Sequence, residues 1–367
     1  MKKNIPLFKV FMPKNVMKPL EETLYSGYLT EGSKAAEFTR LIAKFVNNKQ
    51  TVTMNSCTMA LNIAYRLSGV EQGSEVISTP LTSVASNVPI LALGARPVWA
   101  DVEKNTGMID PSKLEALITE KTKAILVLHK EGDLAKMNEI MEIATKYNLK
   151  VIEDAAHAFG ATYKGKKVSS IGDFTCFSFQ AIKQITCADG GALSIKNEDD
   201  YLKARKMKWF GVDKANKGEG NPWLNDVPDW GYKGDLNDVL ATIGIEQMKY
   251  ADEIVSAFHK NGELYNELLV DAPGVTHINR ESNCYSTYWA YTFLVEKRED
   301  LIRKLKEEGV ASMQIHPRND NWSMFKESKR ELPGVDYFDK RELSIPSGWW
   351  VEDEDIYKIT EIIKKGW

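Results

Sequence analysis

Apolar residues along this chain alternate between two rhythms. Short unbroken apolar runs (EVISTP, PVWADV, AILVLH, KVIEDA) are separated by stretches in which apolar positions return every three or four residues (ASNVPILALG, KLEALI, MNEIMEIATKYN). Continuous runs without strict alternation predict strands covered on both faces, and the three-to-four spacing predicts helices. Their regular exchange predicts a parallel α/β sheet. Right-handed crossovers then put the strand ends, Asp154 among them, on the ligand-binding edge.

The flanking segments fit around that sheet. A polar, glycine-punctuated turn, SGYLTEG, precedes AAEFTRLIAKFV, where Phe38, Leu41, Ile42 and Phe45 recur at helical intervals. A strand over residues 51–53 runs into Asn55-Ser56-Cys57-Thr58 and then a helix over 59–67. The opening of such a helix offers free N–H groups and the positive end of its dipole, a ready anion site. Beyond Ala158 the pattern shortens: ATYKGKKV predicts a hairpin turning on Gly165, and FTCFSF and GALSI predict strands flanking the loop QAIKQITCADGG. A charged helix follows over 199–208, then a polar loop over 211–229 holding Gly218, Gly220 and Pro222, long enough to be a lid or a substrate-binding segment. NDVLATIGIEQMKYADEIVSAFHKNGELYNELL predicts one long helix joining two domains, 1–250 and 251–367. The second is α+β in pattern, with YWAYTFLVEK a strand and EDLIRKLKEEG and EDIYKITEIIKKGW helices.

Composition narrows the class. The chain has 367 residues, 43% hydrophobic and 27% charged, enough for about two globular domains. Its 48 basic and 51 acidic residues are interspersed and leave a formal charge of −3, which gives no electrostatic case for nucleic acid or an anionic membrane. No apolar run reaches the ~18–20 residues of a membrane span, and Pro6, Lys9 and Pro13 interrupt the N-terminal apolar stretch, so no signal peptide is expected. Cys57, Cys176, Cys187 and Cys284 form no CxxC pair and read as reduced thiols of a cytoplasmic protein. No metal is expected.

The chemistry concentrates between residues 151 and 195. Asp154 closes a buried-type strand, where an unpaired carboxylate is costly; Ser178 lies between aromatics; Lys183 precedes a Gly-Gly pair. With SGYLTEG, NSCTMAL, EVISTPLTSVASN, VIEDAAHAFGA, FSF…K…GG and the NDVLATIGIEQM helix all in order, the chain resembles the DegT/DnrJ/EryC1/StrS family of fold-type-I pyridoxal phosphate (PLP) enzymes, mostly aminotransferases acting on nucleotide-linked keto-sugars. The resemblance covers nearly the whole chain. It implies a large domain with a mostly parallel mixed seven-stranded sheet and a smaller C-terminal α+β domain. It also implies a homodimer with shared active sites, and transfer of an amino group from glutamate to a ketone such as a 4-keto-6-deoxyhexose.

The resemblance also assigns roles. Lys183 would carry the cofactor covalently and then shuttle protons, and Asp154 would hold the proton on the ring nitrogen. His157 would lie near the ring hydroxyl, while Ser178 and Ser56, Cys57 and Thr58 would hold the phosphate. His316 and Arg318, in IHPRNDNWSMF, would contact substrate, the guanidinium suiting a diphosphate or carboxylate. Trp349 and Trp350 read as packing.

Four departures stand out. Cys57 replaces a usual glycine, and Ser83 occupies the position of an aromatic that stacks on the ring in many members, on the substrate side. Tyr232-Lys233-Gly234 replaces Asn-Tyr-Arg, so that Lys233 could serve a partner's phosphate as a point charge. Residues 128–137, with Lys130 and Glu131, replace a His-Gly-rich stretch and would alter substrate contacts. These keep a small non-nucleotide ketone (a cyclitol or triose phosphate) open as acceptor. A PLP-dependent sugar dehydratase carries His in place of the lysine, a non-catalytic relative would not retain both Lys183 and Asp154, and an NAD-binding fold lacks its GxGxxG here.

Overall fold

The computed structural model describes residues 3–214 and 226–367. Its centre is a seven-stranded sheet built from β1 (Thr51–Met54), β2 (Glu75–Ser78), β3 (Arg96–Trp99), β4 (Thr122–Leu128), β5 (Lys150–Asp154), β8 (Phe174–Ser178) and β9 (Gly191–Ile195); the two-residue strands β6 (Thr162–Tyr163) and β7 (Lys166–Lys167) form the hairpin expected at Gly165. The order is β1-β9-β8-β5-β4-β2-β3, with β3, β2, β4, β5 and β8 parallel and β9 antiparallel to both β8 and β1. The expected mostly parallel mixed sheet is therefore present.

Neighbouring residues on each strand feed opposite cores. Ile77, Ile125, Val127, Val151, Phe177 and Ala192 join one cluster; Val76, Ala124, Leu126, Ile152, Cys176 and Leu193 join the other. Both faces are covered, which is why the runs read as continuously apolar. Helix α2 (Ser33–Phe45) turns Phe38 and Ile42 into the first cluster, and α3 (Cys57–Leu67) turns Leu61 and Ala64 into the second.

Two elements differ from the sequence expectation. The short helix expected at KLEALI is a pair of 3-10 turns, Pro111–Lys113 and Glu115–Leu117, the first capped by Asp110 accepting from the Ser112 N–H. The long helix over 237–269 is two helices, α7 (Asp238–Met248) and α8 (Ala251–Leu269). At the break the Tyr250 N–H turns back to the Gln247 carbonyl (2.9 Å), and the Tyr250 ring lies against Phe11, 5.2 Å between centroids. The change of direction sends α8 along α11 (Asp353–Lys364) and over a second, antiparallel sheet: β10 (Val275–His277), β12 (Tyr291–Val295) and β13 (Glu342–Ile345), with α9 (Arg298–Glu307). The remaining strand, β11 (Cys284–Tyr285), pairs with β6.

The turn SGYLTEG is fixed by Asp238. Its carboxylate accepts from the Gly32 and Ala35 N–H groups (2.8 and 2.9 Å) and so caps α2, while a Cβ on Gly32 would fall 2.6 Å from the Tyr28 ring. The N-terminal segment ties the two sheets together. Ile5 pairs with Val310, Trp350 Nε1 donates to the Pro6 carbonyl (2.9 Å), and Gln247 of α7 donates to the Phe11 carbonyl. No helix among the described residues is long and apolar enough to cross a membrane.

Candidate active site

The C-terminal ends of β1, β4, β5 and β8 open on one edge of the large sheet, where an open α/β sheet binds its ligands. Asp154 ends β5 there. Its Oδ2 accepts from Ser86 Oγ (2.6 Å) and its Oδ1 from the Ala156 N–H (3.1 Å), which fixes the plane of the carboxylate and leaves each oxygen a lone pair. Ser86 was not singled out by the sequence. It lies on α4 (Val84–Ala92), whose N-cap is Ser83, the hydroxyl accepting from the Ala85 N–H (3.3 Å). The position where an aromatic could stack thus holds a helix cap.

The turn expected to cradle a phosphate is the start of α3. Ser56 is its N-cap, Oγ accepting from the Met59 N–H (3.1 Å), and the Ala60 N–H bonds the Ser56 carbonyl (3.2 Å). That leaves the Cys57 and Thr58 N–H groups to an anion at the positive end of the helix. Gly191, at the start of β9, closes against this turn: a Cβ there would lie 2.3 Å from the Ser56 carbonyl carbon and 2.4 Å from the Cys57 nitrogen. The Gly-Gly pair after Lys183 is thereby explained as a close backbone approach. Gly191→Ala should force β9 and the α3 turn apart, at a cost of about 1–3 kcal/mol in denaturant unfolding and with weaker PLP retention. PLP affinity equal to wild type would show that the turn does not hold the phosphate. Ser178, buried at the end of β8, accepts from the Gln180 N–H (3.4 Å), and its hydroxyl hydrogen remains to give.

Lys183 follows β8 in a turn closed by its own N–H on the Gln180 carbonyl (2.9 Å). Burial lowers its ammonium to about 8, against the pull of the Asp154 carboxylate and the fields of Cys57 and Glu131. Burial, with the same Asp154 carboxylate, pushes the Cys57 thiol well up, so Cys57 contributes its N–H to the site and no thiolate.

His157 and His316 are brought together, Nε2 to Nε2 at 3.5 Å, with their rings 7° from parallel. Burial, then the charges of Lys183 and Lys130 among others, holds both imidazoles well below their usual range, so both are neutral. The Glu131 N–H donates to His157 Nδ1 (3.3 Å), which assigns the His157 proton to Nε2. One oxygen of Glu131 and a ring nitrogen of each histidine lie within 4.8 Å of one another. With its proton on Nε2, His157 presents no lone pair there to a cation.

The unusual 128–137 stretch is buried, and it forms a charge cluster behind the histidines. Lys130 Nζ lies 3.3 Å from Glu131 and 3.0 Å from Glu342 of β13, all three side chains being 2% exposed or less. Burial raises the Glu131 carboxyl to about 7, which Lys130 opposes. Glu131 also holds a left-handed backbone, φ 47°.

Two expected contacts are otherwise engaged. Arg318 spends its guanidinium inside the chain, Nε and Nη2 on Asp320 (2.7 and 2.6 Å) and Nη1 on Asp336. Lys233, 58% exposed, pairs with Asp235, and its carbonyl accepts from Asn55 beside the α3 N-terminus (3.3 Å). Of the loop over 211–229, residues 215–225, with Gly218, Gly220 and Pro222, lie outside the described residues. Trp349 packs edge-on to Phe11 at 5.3 Å and Trp350 edge-on to Phe258 at 5.8 Å.

A second residue the sequence did not announce is Trp289, which reads there as part of a strand. It precedes β12, is 1% exposed, and stacks on His157 at 3.9 Å.

The profile of the DegT/DnrJ/EryC1/StrS aminotransferase family matches residues 12–364. The chain is 31% identical over 366 residues to a Campylobacter jejuni UDP-4-amino-4,6-dideoxy-N-acetyl-beta-L-altrosamine transaminase, covering 95% of each chain. The structure is similar to that of the sugar aminotransferase CalS13 from Micromonospora echinospora, with a TM-score of 0.94, 32% identity and coverage of 99% and 100%. It is also similar to the PLP-form of Spr1654 from Streptococcus pneumoniae, a putative sugar aminotransferase, with a TM-score of 0.90, 26% identity and coverage of 99% and 98%.

Proposed function

This chain belongs to the DegT/DnrJ/EryC1/StrS aminotransferase family and is an aminotransferase, and from that premise we propose that it uses PLP to carry an amino group from glutamate to a nucleotide-linked keto-sugar such as a 4-keto-6-deoxyhexose. The observation that carries the reading is the convergence of Lys183, Asp154 and the α3 N-terminus on one sheet edge. The residues fit PLP. Cys57 and Thr58 offer N–H groups and Ser178 a hydroxyl for its phosphate, and any side chain at Gly191 would close their cradle.

Bound PLP supplies a ring that draws electrons from the carbon next to the transferred nitrogen. Asp154, held by Ser86 and the Ala156 N–H, keeps the ring nitrogen protonated. Lys183, with its ammonium at about 8, is partly neutral near neutral pH; its amine would hold the cofactor and move a proton. His157, whose Nδ1 accepts from the Glu131 N–H, carries its proton on Nε2 and would have it to offer a ring hydroxyl. A second copy of the chain would complete the site with Lys233, a role supported by its exposure and by the exposed run Tyr25, Tyr28 and Leu29.

The nucleotide-linked acceptor is supported by the transaminase relative, whose substrate name is a UDP-sugar. One observation favours a small non-nucleotide ketone: Arg318, the expected diphosphate contact, is already neutralised by Asp320 and Asp336. The two readings separate in a half-reaction. Protein first converted to its amine form with glutamate is offered keto compounds, and return of the carbonyl-form absorbance is followed. Nucleotide-linked keto-sugars should restore it; restoration by simple ketones alone overturns the substrate class.

A further inference from the structure

Lys183 and Trp289 are 106 residues apart in sequence and meet in the site. Lys183 Nζ lies 3.8 Å from the centroid of the Trp289 ring, and Trp289 Nε1–H donates to the carbonyl of Ile182, the preceding residue, at 2.8 Å. The indole cannot swing away. Phe8 stacks on it at 4.6 Å and 19°, His157 at 3.9 Å and 17°, and the backbone N–H of Trp289 donates to the Glu131 carbonyl at 2.8 Å. A ring 1% exposed in three-sided contact is unavailable to stack on a ligand. What it can do is present a negative face to a cation in a dry setting, where such contacts are strongest.

We propose, resting on the assignment of Lys183 as the catalytic amine, that Trp289 is its positioning residue. The indole N–H pins the backbone of the lysine turn, and the indole face receives the ε-ammonium whenever Lys183 is not attached to the cofactor. The need for such a seat follows from the reaction. In the amine form of the enzyme the lysine is free, and a free ammonium in a buried site is costly without a partner. Asp154, the carboxylate that pulls most on this ammonium, is the alternative, but on the proposed reading the ring nitrogen requires it. A π-face holds the ammonium without covalent competition and releases it when the amine loses its proton. Phe8 makes this a shared device, because the N-terminal segment that braces the indole also ties the two sheets together.

The test reads the lysine and leaves turnover aside. In cofactor-free full-length protein, acylation of Lys183 is followed against pH by peptide mass spectrometry. Tetrafluorotryptophan placed at position 289 keeps the shape of the indole and removes the negative face. The midpoint should fall by about one pH unit, because the protonated amine loses its partner. Asp154, Cys57, Glu131, His157 and His316, the other titratable groups facing this amine, are untouched by that change. Trp289→Phe, which keeps a face, should titrate close to wild type, whereas Trp289→Leu should not. An unchanged midpoint with the fluorinated residue, or a Phe variant displaced as far as the Leu variant, overturns the proposal. Neither result bears on whether the protein transaminates, so failure here is distinct from failure of the aminotransferase reading.

Discussion

Lys183→Ala should purify without the yellow absorbance of covalently held PLP and lose transamination by about 10²–10⁴-fold, the range over which a positioned acid–base group contributes. In the proposed reaction, holding the cofactor and moving the proton both fall to this one nitrogen. The fold should survive, because the Lys183 side chain is half-buried at the site and the turn around it is held by backbone bonds and by Trp289. Ultraviolet–visible spectra and steady-state rates check the first part, and thermal unfolding checks the second. In the wild type the same amine sets a pH dependence. Its ammonium is lowered to about 8, so the neutral fraction falls tenfold for each pH unit below that. Capture of PLP by cofactor-free protein should therefore accelerate up to about pH 8 and level above it. A variant that stays yellow and active would place the amine elsewhere.

Asp154→Asn should lose on the order of 10²–10³-fold in the first half-reaction, the scale on which one preorganised electrostatic partner is felt. The substitution is nearly isosteric, and the surrounding bonds can adapt. The Asn carbonyl can accept from the Ala156 N–H, and the Ser86 hydroxyl, now a donor to Oδ2, can turn to accept from the new NH₂ group. Stability should thus change little while the rate collapses, because a neutral amide no longer favours a protonated ring nitrogen. Single-turnover mixing with glutamate measures it; wild-type turnover would remove Asp154 from the mechanism.

Much of this site was legible in the sequence because its parts are local. β5 ending in Asp154, the α3 turn at Ser56–Thr58, Ser178 at the end of β8 and the Gly-Gly pair at Gly191 each sit at a strand end or helix start, where chain direction sets position. What stayed hidden comes from sequence-distant side chains. Ser86 reads as a buried helix residue until α4 is laid over β5, and Trp289 reads as a strand residue until β12 brings it beneath Lys183. The burial of Lys130 and Glu131 could not be seen either, since their partner Glu342 lies on β13, more than two hundred residues away. Arg318 looked available because its sequence neighbourhood does not show that Asp320 and Asp336 fold back on it. The single helix expected over 237–269 is broken by the seat of Tyr250 on Phe11, a contact with the other end of the chain.

The N-terminal segment has a consequence for the order of events during synthesis. Ile5 exchanges backbone bonds with Gly309 and Ala311, Pro6 accepts from Trp350, and Lys3 pairs with Asp355. Synthesis runs from N- to C-terminus, so Gly309, Ala311, Trp350 and Asp355 emerge long after residues 3–6. Residues 3–6 can therefore make these bonds only after the second sheet's segments have left the ribosome. Phe8 can reach Trp289 only after residue 289 is made, so the environment of the lysine is finished by a segment translated long before the indole it braces.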